Sequence, residues 1–152
     1  MHRKKTPMTR SENMAHIRST ETKPEVYLRK KLWHLGFRYR KNCRKLPGSP
    51  DIYLQKYNTA IFVNGCFWHM HEGCDAFHPP HTHNKFWMEK FERNRNRDRQ
   101  NYAELHERGI KVIVVWECTL KKMRKDPQLE QANLERIRSV FIDEDKILFV
   151  EI

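Results

Sequence analysis

Three of the four cysteines are spaced, together with one histidine, so that they restrict how the whole chain can fold. Cys66, His71 and Cys74 fall within nine residues, and Cys118 follows an apolar segment much later in the chain. Two thiolates and one imidazole on a loop, with a thiolate from a distant strand end, could form a closed tetrahedral zinc site with a structural role. Two interpretations compete with it. Another nearby histidine, His69 first, could supply the imidazole, or the cysteines could be ordinary buried thiols.

The chain is strongly basic, with 30 Lys and Arg against 19 Asp and Glu among 152 residues and a formal net charge of +11. This excess indicates a polyanionic partner, with nucleic acid first and an anionic membrane surface second, and a merely soluble basic protein as the remaining alternative. No apolar run has the length of a membrane span. The basic residues 1–10 lack the apolar segment of a signal peptide. We therefore expect a cytoplasmic protein without disulfides.

Helix and strand signals alternate along the chain. Thr22 and Glu25 have capping-box spacing with Pro24 in the first turn, and Gly36 ends that helix. The other predicted helices cover residues 11–18, 84–108 and 128–141. The predicted strands cover residues 37–40, 51–55, 59–64, 111–116 and 147–152. We find no repeat or linker, so we expect one domain over residues 1–152, with residues 1–8 as a flexible basic arm. The pattern predicts an α/β fold in which helices flank a mixed sheet.

Asp51 begins a predicted strand directly after the turn-forming residues 46–50. Such an Asp often only caps a turn, but many nucleases place Pro-Asp at a strand start, with an acidic residue and a Lys on the next strand. Residues 60–64 contain neither. A metal at Asp51 would need backbone carbonyls, water and phosphate oxygens as well, which suits Mg2+. His69 is the candidate that would activate water, and its alternatives are a zinc ligand or an exposed loop residue.

The helix predicted at residues 84–108 has one face on which polar residues interrupt an apolar row. That face carries Trp87, Phe91, Asn94, Asp98, Tyr102 and Leu105. Polar groups on such a face should be satisfied or should act. Asp98 could orient His69, and the alternative is a buried salt bridge with Arg97 or another arginine.

Two adjacent aromatic residues, Phe67 and Trp68, lie on the cysteine-rich loop. In a basic protein they can stack on bases or wedge between them. The alternative is packing in the core, which is the commoner fate of aromatic side chains.

Several short segments together resemble the very-short-patch-repair (Vsr) mismatch endonucleases. They are Leu-Pro-Gly-Ser-Pro-Asp at residues 46–51, Gly-Cys-Phe-Trp-His at 65–69 and Val-Trp-Glu-Cys at 115–118, extended by residues 9–14 and 86–90. The resemblance implies a restriction-endonuclease-like fold and nicking of the T-bearing strand 5′ to the thymine of a T:G mismatch, the product of 5-methylcytosine deamination. It also implies catalytic Mg2+, structural Zn2+, and a monomer associated with the bacterial nucleoid. Further implications are a functional link to a cytosine-5 DNA methyltransferase and mismatch-repair proteins as partners.

The resemblance also implies roles for particular residues. It assigns Mg2+ binding to Asp51 and the Val63 backbone carbonyl, and catalysis to His69, Asp98 and Glu25. Glu25 has the alternative of acting only as a helix cap with Thr22. The implied zinc ligands are Cys66, His71, Cys74 and Cys118. The implied DNA contacts are Met14, Ile17, Phe67, Trp68, Trp87, Lys90 and Asn94.

The chain departs from the family pattern in two places. Asn64 stands where well-known members have a histidine, and the zinc loop has one extra residue before Cys74. Two other functions stay open: a restriction-type endonuclease that cuts matched duplex, and a zinc-stabilised DNA-binding module without catalysis. The sequence assigns no role to Cys43 and does not specify the flanking bases or the methyltransferase.

Overall fold

A five-stranded sheet with strand order β1-β2-β3-β4-β5 forms the centre of the computed structural model, which describes residues 20–144 and 149–152. The strands are β1 Arg40–Lys41, β2 Ile52–Leu54, β3 Thr59–Asn64, β4 Lys111–Trp116 and β5 Phe149–Glu151. The pairs β1–β2 and β2–β3 are antiparallel, whereas β3–β4 and β4–β5 are parallel. The predicted mixed sheet is therefore confirmed.

Helices cover both faces of this sheet, as predicted. They are α1 Lys23–His34, α2 Asn84–Glu107, α3 Glu117–Met123 and α4 Pro127–Ile142. The core on one face joins the sheet to α1, α3 and α4, and the core on the other face joins it to α2. The helix predicted at residues 11–18 and the arm at residues 1–8 lie outside the described residues.

The local signals located most elements correctly. Thr22 is the N-cap of α1, and Gly36 follows the helix with a φ of 91°. The strand expected at residues 37–40 was misplaced, because Phe37 is buried against the rings of Tyr57 and Phe141 and pairing begins only at Arg40. Helix α3 was not predicted, since its seven residues are too short to show a clear period.

The parallel pairing of β3 and β4 determines where the functional segments lie. Asn64 and Trp116 are paired at the carboxyl ends of these two strands. The irregular loop of residues 65–83 leaves from the first end, and α3 leaves from the second. The cysteines on both segments therefore lie at the same edge of the sheet. Among the described helices, none combines the length and the apolar character that crossing a membrane requires.

Candidate active site and metal centre

Cys66, His71, Cys74 and Cys118 form one cluster, in which the ligand atoms all lie within 4.8 Å of one another. The Sγ atom of Cys118 is 3.5 Å from Nδ1 of His71. The His71 ring stacks on the ring of Trp116 with centroids 3.9 Å apart and planes within 2°, which fixes the orientation of the imidazole. Burial raises the pKa of Cys66 to about 12, so a bound cation would be needed to hold this thiol as a thiolate. The four residues are a site that can hold a structural metal ion.

His69 takes no part in this cluster. Its Nδ1 atom lies 2.5 Å from Oδ2 of Asp98 on α2. Because a carboxylate only accepts hydrogen bonds, Nδ1 carries the hydrogen, and the lone pair of the neutral imidazole is then on Nε2. This hydrogen bond, rather than a salt bridge to an arginine, occupies Asp98 in the structure. Of the imidazoles that the sequence left open for the cluster, His71 is the one that lies there.

A cleft of about 1070 Å³ opens between the start of α1, the end of β3 and the middle of α2. Its lining includes the predicted catalytic residues Glu25, Asp51, His69 and Asp98, together with Trp68, Asn94 and Arg97. It also includes Arg44 and Glu117, which sequence reasoning missed. The available signals for Glu117 were its position directly after a buried strand and its place in the Val-Trp-Glu-Cys segment at 115–118.

Asp51 lies just before β2, and its Oδ2 accepts a hydrogen bond of 2.7 Å from the backbone N–H of Val63. Burial raises the pKa of the Asp51 carboxyl to about 7. The Val63 hydrogen bond, His69 and Arg29 act in the opposite direction, while the nearby Glu25 raises the pKa further. The surrounding protein groups therefore do not fully offset the cost of burying the negative charge of Asp51.

Glu25 both caps α1 and lines the cleft. Its N–H donates to Oγ1 of Thr22 at 3.4 Å, and its Oε2 accepts from the backbone N–H of Glu21 at 3.0 Å. In a standard capping box the Glu25 carboxylate would accept from the backbone N–H of the N-cap residue, Thr22. Here it accepts from the N–H of Glu21 instead. Its side chain is only 3% exposed, and this burial raises the pKa of Glu25.

A buried arginine behind this carboxylate was not predicted. Arg29 is 3% exposed and donates two hydrogen bonds, of 3.1 and 2.8 Å, to the carboxylate of Glu21. Its guanidinium also lies 3.8 Å from Oε2 of Glu25. The available signal was the spacing of Glu25 and Arg29, which are four residues apart on the helix, with Glu21 four residues before Glu25 in the sequence.

Several known proteins are similar to this chain over most of its length. The family model described as DNA mismatch endonuclease Vsr matches residues 3–75. The DNA mismatch endonuclease Vsr of Escherichia coli K12 is 41% identical over 117 residues, which cover 77% of this chain and 74% of that protein. The type II nicking enzyme V.NmeAIP of Neisseria meningitidis serogroup A is 52% identical over 116 residues, covering 76% of this chain and 82% of the relative.

The chain belongs to the Vsr family of DNA mismatch endonucleases. A third relative, the type II nicking enzyme V.HpaIIP of Haemophilus parainfluenzae, is 36% identical over 139 residues, or 91% of this chain and 95% of that enzyme. Membership in the Vsr family makes the protein a DNA endonuclease and its mixed sheet a restriction-endonuclease-like fold.

The residues that the Vsr resemblance assigns to DNA contact include an aromatic cluster beside the cleft. The ring centroids of Phe67, Trp68 and Trp87 lie 5.1 to 6.1 Å apart. Phe67 also packs edge-on against the fully buried Phe91 at 5.0 Å. Core packing thus holds Phe67 from behind, whereas Trp68 lines the cleft. Both rings are partly buried, so base contact by either residue stays a prediction.

Two polar residues on α2 border the aromatic cluster. The Lys90 ammonium lies 5.2 Å from the ring centroid of Trp68 and 5.4 Å from that of Trp87. The Asn94 side-chain amide donates to the backbone carbonyl of Trp68 at 3.2 Å, so it fixes the loop that carries this ring. Met14 and Ile17, which the Vsr resemblance also assigns to DNA contact, lie outside the described residues.

Proposed function

We propose that this Vsr-family endonuclease nicks the thymine-bearing strand of duplex DNA 5′ to the thymine of a T:G mismatch. The observation that carries the proposal is that Asp51, the His69–Asp98 pair and Trp68 line a single cleft. The names of the relatives, a DNA mismatch endonuclease and two nicking enzymes, support it. The net charge of +11 fits a DNA substrate. Since T:G mismatches arise when 5-methylcytosine deaminates, the proposal includes a functional link to a cytosine-5 DNA methyltransferase.

The donor set in the cleft fits a hard divalent cation. Asp51 leaves Oδ1 free of the Val63 hydrogen bond, and Glu25 brings a second carboxylate to the same cleft. The N–H and C=O of one strand residue face the same neighbouring strand, so the Val63 carbonyl is directed to the side of Asp51. We infer that these oxygens hold Mg2+, which would polarise the scissile phosphate and stabilise the leaving oxygen.

The cysteine-rich cluster fits a different ion. Three thiolates and one imidazole form a closed tetrahedral set that suits Zn2+ and leaves no position for a reacting water. Cys66 and Cys74 lie on the loop of Phe67 and Trp68, and Cys118 lies on α3. Zinc bound there would tie the aromatic loop to the sheet edge, and we assign it no part in the reaction.

His69 is the residue we propose as general base. Asp98 holds its Nδ1–H, so the Nε2 lone pair is available to take a proton from the attacking water. The resulting imidazolium would be stabilised by the Asp98 carboxylate. The oxygen of that water would then bond to phosphorus as one P–O bond of the phosphodiester breaks. The leaving oxygen would take a proton from solvent, and the imidazolium would return its proton to solvent.

The aromatic cluster is the part of the site that we propose to recognise the mismatch. Insertion of rings such as Trp68 and Trp87 between bases requires unstacking, which costs less at a mismatch than at a paired step. Lys90, above both rings, would bring positive charge to the bases or phosphates there. Asn94 would maintain the angle of the loop through its bond to Trp68.

A nicking assay on end-labelled duplexes tests the proposal. The zinc-loaded protein with Mg2+ should nick the T strand of a T:G duplex and leave the other strand and a T:A duplex intact. Asp51→Ala should abolish nicking, while Glu135→Gln, an exposed carboxylate change on α4, should not alter it. Equal cutting of T:G and T:A duplexes would refute mismatch recognition. Cleavage by Asp51→Ala, or full activity without a divalent cation, would refute the assignment of the metal.

A further inference from the structure

The Asn64 side chain, at the end of β3, joins the two halves of the cleft. It is 5% exposed, and its amide nitrogen donates to the hydroxyl of Tyr102 on α2 at 3.2 Å. The preceding residue, Val63, holds Asp51 through its N–H. Asn64 lines both the main cleft and a second cavity of about 400 Å³ on the other side of His69 and Asp98. It is therefore part of the wall between them.

Tyr102 is held on its apolar sides as well. Its ring packs against Phe62 with centroids 5.1 Å apart and against Phe149 at 5.6 Å. Tyr102 is partly buried, so its hydroxyl needs a polar partner, and Asn64 supplies one. Burial raises the pKa of Tyr102, so the hydroxyl stays neutral. The hydroxyl position is therefore defined by packing and by one directed hydrogen bond.

The Asn64 bond is one of three polar ties along a single face of α2. Asn94 donates to the backbone of Trp68, Asp98 accepts from His69, and Tyr102 accepts from Asn64. The three α2 residues are four positions apart, so they lie one above another on the helix. The first two ties bind α2 to the irregular loop. The third binds α2 to the strand whose end also positions Asp51.

We propose that Asn64 and Tyr102 are positioning residues, whose amide–hydroxyl bond sets the distance between the His69–Asp98 pair and Asp51. The inference rests on the proposed function of the cleft and assigns a role to Asn64. Asp98 lies one helical turn before Tyr102, so a shift of this turn would move His69 relative to Asp51. A displacement of about 1 Å in such a site can lower the rate about 100-fold.

Single substitutions with a matched control test the proposal. Tyr102→Phe removes only the hydroxyl and keeps the ring packing, and Asn64→Ala removes the donor. Tyr53→Phe is the control, because the Tyr53 hydroxyl also bonds an asparagine, Asn58, at 3.2 Å, and neither residue lines the cleft. On a T:G duplex, the two site variants should each lower kcat between about 10- and 100-fold with KM little changed. The control should keep both constants.

A double variant separates positioning from independent effects. If one bond carries the effect, Asn64→Ala combined with Tyr102→Phe should be no slower than the slower single variant, since residues that act through one interaction are non-additive. Multiplied losses in the double variant would overturn the proposal. So would a loss confined to KM, or a kcat for both single variants equal to that of the control.

A measurement without DNA keeps the inference distinct from the proposed reaction. The His69 Nδ1–H held by Asp98 should give a downfield imidazole N–H resonance in proton–nitrogen NMR of the zinc-loaded protein, assigned by its loss in His69→Gln. We expect it to shift or broaden in Asn64→Ala and Tyr102→Phe and to stay in Tyr53→Phe. An unchanged resonance in both site variants would overturn the proposal. A wild-type protein that does not nick T:G DNA would refute the proposed function alone, because this measurement would still decide the inference.

Discussion

Asp51 should make the protein less stable in the absence of divalent cations than a neutral side chain of the same shape would. Burial is the main reason that the pKa of its carboxyl is raised from 3.8 to about 7. The folded state therefore binds this proton more tightly than the unfolded state. The stabilisation from the protonated form is fully present below pH 3.8 and is lost as the pH rises to about 7.

Asp51→Asn removes this dependence, since the amide is neutral at every pH and its oxygen can still accept the Val63 N–H. At about 1.4 kcal/mol per unit of pKa shift, the variant should gain roughly 4 kcal/mol in free energy of unfolding at pH 8 and roughly 1 to 2 kcal/mol at pH 5. Solvent in the open cleft screens the carboxylate, so the gains should not exceed these values. The same variant should be inactive.

Urea unfolding of zinc-loaded wild-type and variant protein at both pH values, in Mg2+-free buffer, measures this difference. Added Mg2+ should stabilise the wild type and not Asp51→Asn, because a ligand that binds only the folded state adds to its stability. Glu135→Gln controls for the loss of one exposed charge and should change little. The reasoning is refuted if Asp51→Asn is no more stable than wild type at pH 8, or if its gain is the same at pH 5.

Three other substitutions address the metal centre, the catalytic pair and the buried ion network. Cys118→Ser should lower both the zinc content and the melting temperature. Cys43→Ser, outside the cluster, should keep both. Equal zinc content in the two variants would contradict the ligand set. Asp98→Asn should lower kcat about 100-fold or more with little change in KM, because the amide no longer favours the required tautomer of His69. An unchanged rate of single-turnover nicking would contradict that role. Arg29→Met should lower the free energy of unfolding in urea by about 3 to 5 kcal/mol, because it leaves the buried Glu25 without its cation. The exposed Arg38→Met should lower it by under about 1 kcal/mol. Equal losses would show that Arg29 compensates no buried charge.

Much of the fold follows from signals that act within a few residues. Thr22 and Gly36 mark the ends of α1 because caps depend on side chains next to the helix terminus. The apolar run Lys111–Trp116 is β4 with the predicted bounds. Local reasoning does not explain Trp33, an apolar residue of α1 that is 50% exposed. Local periodicity predicts which residues lie on the same side of a helix. It does not predict how much of that side the neighbouring elements cover.

The site divides in the same way. The spacing of cysteines and histidines near Cys66 predicted a metal cluster, and the residues around Asp51 carried the resemblance to the Vsr family, because these signals lie within short segments. Only the tertiary structure decided between His69 and His71 as the cluster imidazole, since both lie on one loop and the choice depends on Asp98 approaching from α2. The Asn64–Tyr102 bond spans 38 positions of sequence. Such a pair is decided by how a helix docks on a strand, which no local pattern records.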